Sequence, residues 1–205
     1  MTIDIDFDQG DRKEKPVSLS VAIIAETESG GVVMVRQSKN NEWGLIAGRI
    51  KERPESLKNE SRKIERRIET FYEASLREMW EEGNLATNEV DELAMWGAPY
   101  VRGKDKDKFG IVFKTKVRVP DKTINSKKPN DPAIAEIRVF SLEEIIDLIF
   151  LNDKLIYKPE YNLGNLINWV FEKIQERKLA GKNTVEQYLP SNLSALETAV
   201  ANGYW

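Results

Sequence analysis

Three glutamates, Glu78, Glu81 and Glu82, stand at i, i+3 and i+4 within Arg77-Glu78-Met79-Trp80-Glu81-Glu82-Gly83-Asn84-Leu85. On an α-helix those positions share one face. Like charges at that spacing cost an isolated helix about 0.2–0.5 kcal/mol per pair, so the pattern points to something positive held among them. Hard oxygen donors converging from one helix suit Mg²⁺ or Mn²⁺, which also bind water and phosphate oxygens. A solvated acidic face on an amphipathic helix is the plainer reading of the same residues. The cluster alone does not choose between the two.

Composition narrows the remaining chemistry. The 205-residue chain contains no cysteine and no histidine. That removes disulfides, thiolate or imidazole zinc sites and histidine-based nucleophilic triads. Acid–base work falls to carboxylates, Lys, Tyr or metal-bound water. Apolar residues make up 40% and charged residues 32% of the chain, as in a soluble globular protein. The formal charge of −3 gives no electrostatic case for nucleic-acid binding. No apolar run reaches the roughly 18 residues of a membrane span, and the acidic start lacks a signal-peptide core, so a cytoplasmic protein is expected.

The elements that must position the glutamates can be read in order. Residues 1–16 are polar and read as a flexible arm. Val17–Glu26 and Val32–Gln37 read as strands joined at Ser29-Gly30-Gly31 into a hairpin. Gly44 and Gly48 in Trp43–Ile50 suggest close backbone approach or an unusual turn instead of an ordinary strand. The charged stretch 51–68 runs into apolar positions at Ile64, Ile68, Phe71, Tyr72, Ser75 and Met79, and that spacing predicts one long helix ending near Gly83-Asn84. Glu73 and Arg77 form a favourable i, i+4 pair within it. Trp96–Tyr100, Gly110–Val119 and Ile134–Phe140 read as strands, and Lys104–Lys108 as an exposed loop between the first two. Ser141 with Glu144 is a capping box opening a further helix. Asn162–Lys178 is an amphipathic helix burying Leu163, Leu166, Ile167, Val170, Phe171 and Ile174.

With these segments in order the chain resembles the Nudix hydrolase family. The match rests on Glu69, seven residues, then Arg77-Glu78-Met79-Trp80-Glu81-Glu82-Gly83-Asn84-Leu85, flanked by Val35-Arg36-Gln37, Trp43-Gly44-Leu45-Ile46-Ala47-Gly48 and Glu136–Glu144. The resemblance implies an α/β fold, an α/β/α sandwich around a mixed β-sheet, over residues 17–150. Glu78, Glu81 and Glu82 would then bind Mg²⁺ or Mn²⁺, with Arg77 and Glu69 aiming them, and Glu82 would also serve catalysis. Glu136 and Asp131 are candidates for a general base, though a structural or solvated role suits each better. The implied reaction is hydrolysis of a nucleoside diphosphate linked to another group, with the nucleotide derivative as partner, Arg36 and Gly48 in the substrate site, and no nucleic acid or membrane bound. A homodimer is compatible with it.

Three departures from the family pattern matter. Gly48 is the best match to the leading glycine, yet lies so far from Glu69 that residues 53–67 read as an insertion, taken as a helical extension. Asn84 replaces a glycine, a mild change because Asn also accepts positive φ. Leu45-Ile46-Ala47-Gly48 replaces the usual Leu-Pro-Gly-Gly, and its Ala-Gly form resembles the branch acting on ADP-ribose and nucleotide sugars, where the carbonyl at Ala47 would also bind metal. Trp96, Tyr100 and Phe109 offer rings for base stacking, with core packing the better reading. Residues 151–205 form a C-terminal helical extension. A non-catalytic nucleotide-binding module for regulation or assembly is the competing function.

Overall fold

Alternate residues of a strand point to opposite faces, so a strand buried along its length must be covered on both sides. The first strand behaves this way. In the computed structural model, which describes residues 17–55, 65–98, 100–101, 107–150 and 162–180, strand β1 (Val17–Thr27) is buried from Val21 to Thr27. Val21, Ile23 and Ala25 enter one apolar core, and Ala22 and Ile24 enter the other. The remaining strands are β2 (Val32–Gln37), β3 (Trp43–Arg49), β4 (Glu52–Glu55), β5 (Glu65–Ile68), β6 (Ala94–Gly97), β7 (Tyr100–Val101), β8 (Asp107–Val117) and β9 (Ile134–Phe140). The helices are α1 (Phe71–Glu81), α2 (Asp121–Ile124), α3 (Leu142–Phe150) and α4 (Asn162–Leu179).

The large sheet runs β6-β8-β1-β3-β2-β9, with β7 beside β8. It is mixed, because β1 and β8 are parallel from Val17↔Asp107 to Thr27↔Val117 while the other pairs are antiparallel. Helix α1 lies on one face with Ala74 and Met79 in its core, and α3 and α4 lie on the other. This is the expected α/β/α sandwich. Among the described residues no helix is long and apolar enough to cross a membrane.

Several local expectations change. The β1–β2 hairpin touches only at its turn, Glu26↔Val32, because β3 inserts between the two strands. Trp43–Arg49 is a regular strand inside the sheet, so its glycines mark close approach without interrupting it. The described residues of the inserted segment are strand, not the expected helix. These strands, β4 and β5, form an antiparallel two-stranded ladder from Glu52↔Ile68 to Glu55↔Glu65. Pro54 disfavours helical backbone at Arg53. Thr70 then starts the helix afresh, with extended backbone (φ −71°, ψ 159°) and a complete capping box to Glu73. Ile68, counted among the helical positions, is 65% exposed at the foot of this arm. The arm at 1–16, the loop residues 102–106, Ile64, the side chains of Tyr100 and Leu163, and the tail beyond 180 lie outside the described residues.

The capping box at Ser141 is present as expected, with the Ser141 N–H donating to Glu144 and the Glu144 N–H to Ser141 Oγ. Helix α4 buries Leu166, Ile167, Trp169, Val170 and Ile174 in the same core as α3. It is also tied to the sheet by charge. Buried Glu26, near the end of β1, faces Lys173 Nζ of α4 and, at 3.5 Å, Lys114 Nζ of β8. Without Glu26 neither lysine is left unpaired, because Lys114 still donates to Glu172 at 2.7 Å and Lys173 to Glu176 at 2.8 Å. Glu26→Ala is therefore expected to cost only about 1 kcal/mol, read as a slightly lower urea midpoint at unchanged slope.

Candidate metal centre

Helix α1 is held so that one flank of it faces β3. Its capped start fixes where the helix begins, and buried Ala74, Ser75 and Met79 fix its rotation. At its end Gly83 packs against Ile46, where a Cβ would come within 2.6 Å of Ile46 Cδ1. Asn84 follows with φ +47°, the left-handed conformation expected of it, and its side chain donates to the Lys128 carbonyl at 2.8 Å. Orphan carbonyls of a last helical turn need donors. Here the backbone N–H groups of Asn130 and Asp131 donate to the Glu81 carbonyl at 2.9 and 2.8 Å, and Asn130 Nδ2 to that of Trp80.

Arg77 organises the charged side of the helix. Its Nε and Nη2 donate to the two oxygens of Glu69, each at 2.9 Å, a bidentate pair with Glu69 fully buried and Arg77 10% exposed. Nη2 also reaches the Arg49 carbonyl at 2.9 Å, and Nη1 donates to Glu78 and, at 2.9 Å, to Glu81. Burial works against the charged guanidinium, but these carboxylates hold its pKa well above the usual value. The expected Glu73–Arg77 pair gives way to this arrangement. Glu73 closes the capping box and is gripped instead by Arg67 of β5, at 2.6 and 3.0 Å. Glu69 itself is fixed by backbone: its N–H donates to the Lys51 carbonyl at 3.0 Å, and its Oε2 accepts from the Lys51 N–H at 3.1 Å.

The three glutamates sit in unlike surroundings. Glu78 is 5% exposed and lies against Gly48, where a Cβ would come within 1.9 Å of Glu78 Oε1. Gly48 therefore makes room for this carboxylate. Burial raises the pKa of Glu78 despite Arg77 beside it. Glu81 is more open. Burial would raise its pKa, but hydrogen bonds from Lys51 Nζ (3.1 Å) and Arg77 hold it below the ordinary range. Glu82 accepts from the Ala47 N–H at 2.9 Å. That N–H is accessible because the β3 ladder to β2 ends at Met34↔Leu45. Burial pushes Glu82 up to about 8, with the charges of Glu78, Asp131 and Glu81 adding to the shift.

Among the described residues no three acidic side chains stand close enough to hold one ion in this arrangement, because Arg77 and Lys51 engage Glu78 and Glu81. The donors nonetheless fit a hard dication. They are all carboxylate, they repel one another across the site, and one of them is driven towards its neutral form by that repulsion and by burial. Glu78, Glu81 and Glu82 could hold such an ion beside the backbone of Ala47.

The other candidates fall in different places. Asp131 accepts from the Ala133 N–H at 2.8 Å and lies near enough to Glu82 to raise its pKa. Glu136 pairs across β2 and β9 with Arg36, at 2.8 and 3.1 Å, and Arg36 also donates to Asn41 and lies 5.7 Å over the Trp43 ring. Trp96 packs against the core, and Phe109 meets Phe71 edge-on. Lys51, the Arg49 carbonyl and Asn130 escaped the sequence reading. A lysine in a charged run carries no signal of its own, and backbone groups carry none at all.

These surroundings give the metal-free protein a defined pH response. A carboxyl whose folded pKa lies above its unfolded value near 4.5 keeps a proton that the unfolded chain has lost, so stability falls as pH rises between the two values. In EDTA, stability is expected to fall by a few kcal/mol from about pH 5 to pH 8, and Glu82→Gln to flatten that slope. Denaturant titrations across the range measure both.

A NUDIX domain model matches residues 16–159. No curated protein matches the chain in sequence. Among solved structures the chain is similar to a NUDIX hydrolase from Nitrosomonas europaea, 19% identical, with 80% of this chain and 75% of that one covered at a TM-score of 0.52. A further structure described as a NUDIX hydrolase from Nitrosomonas europaea gives 15% identity, 78% and 90% coverage and 0.51. A MutT protein from Methanosarcina mazei Go1 gives 22%, 82% and 99%, and 0.47. With its matched region running from β1 past α3 and enclosing the whole of α1, the chain belongs to the Nudix family of pyrophosphohydrolases.

Proposed function

We propose that the protein hydrolyses the pyrophosphate bond of a nucleoside diphosphate joined to a second group, of the ADP-ribose or nucleotide-sugar type, with Mg²⁺ or Mn²⁺ held by Glu78, Glu81 and Glu82 and the Ala47 carbonyl. The observation supporting this reading is the buried Arg77–Glu69 pair, from which Arg77 reaches Glu78 and Glu81 while Glu82 accepts from the Ala47 N–H where β3 runs past its pairing with β2. The ion would neutralise diphosphate charge and make a bound water more acidic. Arg77 keeps the carboxylates aimed, and Gly48 keeps the wall beside Glu78 thin. Glu82, protonatable near neutrality, can hold a proton at Oε1 while Oε2 stays on the Ala47 N–H. Asp131 adjoins this carboxyl, whereas Glu136 is engaged by Arg36, so Asp131 is the better candidate for a base outside the helix. The Ala47-Gly48 pair supports the ADP-ribose or nucleotide-sugar class.

The engagement of Glu78 and Glu81 by protein cations favours a second reading, a module that binds a nucleotide without cleaving it. A panel of ADP-ribose, nucleotide sugars, dinucleoside polyphosphates and dNTPs separates the two. Turnover is expected with Mg²⁺ on the first two classes and none in EDTA. Metal-independent binding without turnover anywhere would establish the module. Glu82→Gln is expected to lower kcat about 10²–10⁴-fold with the fold retained by circular dichroism, and wild-type turnover in that variant would remove Glu82 from the chemistry.

A further inference from the structure

Resting on that reading of the centre, we infer that Lys51 is a positioning residue that acts as an exchangeable counter-ion, occupying Glu81 until a divalent cation displaces it. The same oxygen of Glu81, Oε2, accepts from both Arg77 Nη1 at 2.9 Å and Lys51 Nζ at 3.1 Å. The two cations are not equally free to leave. Arg77 is 10% exposed and pinned through its other nitrogens by Glu69 and the Arg49 carbonyl. Lys51 is 54% exposed at the side chain, donates from its ammonium to Glu81, and carries that ammonium on a flexible four-carbon stem. Its backbone is meanwhile fixed on both sides by Glu69, so the ammonium swings from an anchored root.

Two consequences follow from charge alone. A dication approaching Glu81 must displace an ammonium that already neutralises it, so Lys51 weakens metal binding in the absence of substrate. Once displaced, the ammonium stays tethered beside the ion, where an anionic diphosphate would meet it. Lys51 therefore favours loading of the centre by metal and substrate together over loading by metal alone.

The test is Mn²⁺ binding to the full-length protein without nucleotide, read from the loss of the free Mn²⁺ electron paramagnetic resonance signal. Lys51→Met is expected to bind Mn²⁺ about two- to fivefold more tightly than wild type, the range for loss of one exposed ion pair. Lys51→Arg, which keeps a cation at the position, is expected to stay near wild type. A residue that only braced the fold would weaken Mn²⁺ binding when removed, so unchanged or weaker binding by Lys51→Met overturns the inference. Equal tightening by Lys51→Arg also overturns it, since the charge would then be irrelevant. If wild type takes up no Mn²⁺ at millimolar concentration, the metal-centre reading itself falls and this inference with it. Uptake by wild type without a gain in Lys51→Met removes the inference alone.

Discussion

The buried pair between Arg77 and Glu69 is the constraint on which the rest of the site depends. Two parallel hydrogen bonds fix the guanidinium plane, and a fixed plane sets where its third nitrogen points. That third nitrogen carries Glu78 and Glu81. A desolvated ion pair adds little net stability, because taking both charges out of water offsets most of their attraction. What it supplies here is orientation. The helix is locked in rotation by apolar packing on one side and by Arg77 on the other, so its carboxylates cannot drift away from β3.

The centre carries more negative charge than its own cations neutralise. Arg77 is shared among Glu69, Glu78 and Glu81, and Lys51 faces Glu81, while Glu82 feels the charges of Glu78, Asp131 and Glu81. A protein can relieve such an excess by protonating a carboxyl, by borrowing an ammonium or by admitting a metal ion. Burial and its acidic neighbours push Glu82 towards the first, and the Lys51–Glu81 hydrogen bond is an instance of the second. The third is what the resemblance of this segment to the Nudix pattern leads one to expect.

Much of this was legible from residue order, for identifiable reasons. Strand β9, the capping box at Ser141 and the end of α1 at Asn84 all carry local signals strong enough to survive tertiary context. Ile64 and Ile68 extend a helical spacing upstream of Thr70, the cap at which the helix begins, and so hide the strand at Glu65–Ile68. Thr70 and Glu73 form a complete capping-box signature, but a run of apolar residues spaced for a helix masked it. Partners of Arg77 were half legible. Glu69 follows from family spacing, whereas preference for it over Glu73 depends on burial, which sequence does not display. Insertion of β3 between β1 and β2 is a long-range choice that no turn signal announces.

The paired backbones of Lys51 and Glu69 close the foot of the β4–β5 ladder, so the chain leaves the centre and returns to it at adjoining points. Gly48 and Glu69 are distant in the numbering yet contribute to one small region through Glu78 and Arg77. Residues inserted beyond that closure lengthen a stem and leave the seam untouched. An antiparallel ladder grows by matched pairs, one residue on each limb, so evolution can extend or trim this outgrowth like a telescoping mast while the machinery at its base keeps its dimensions.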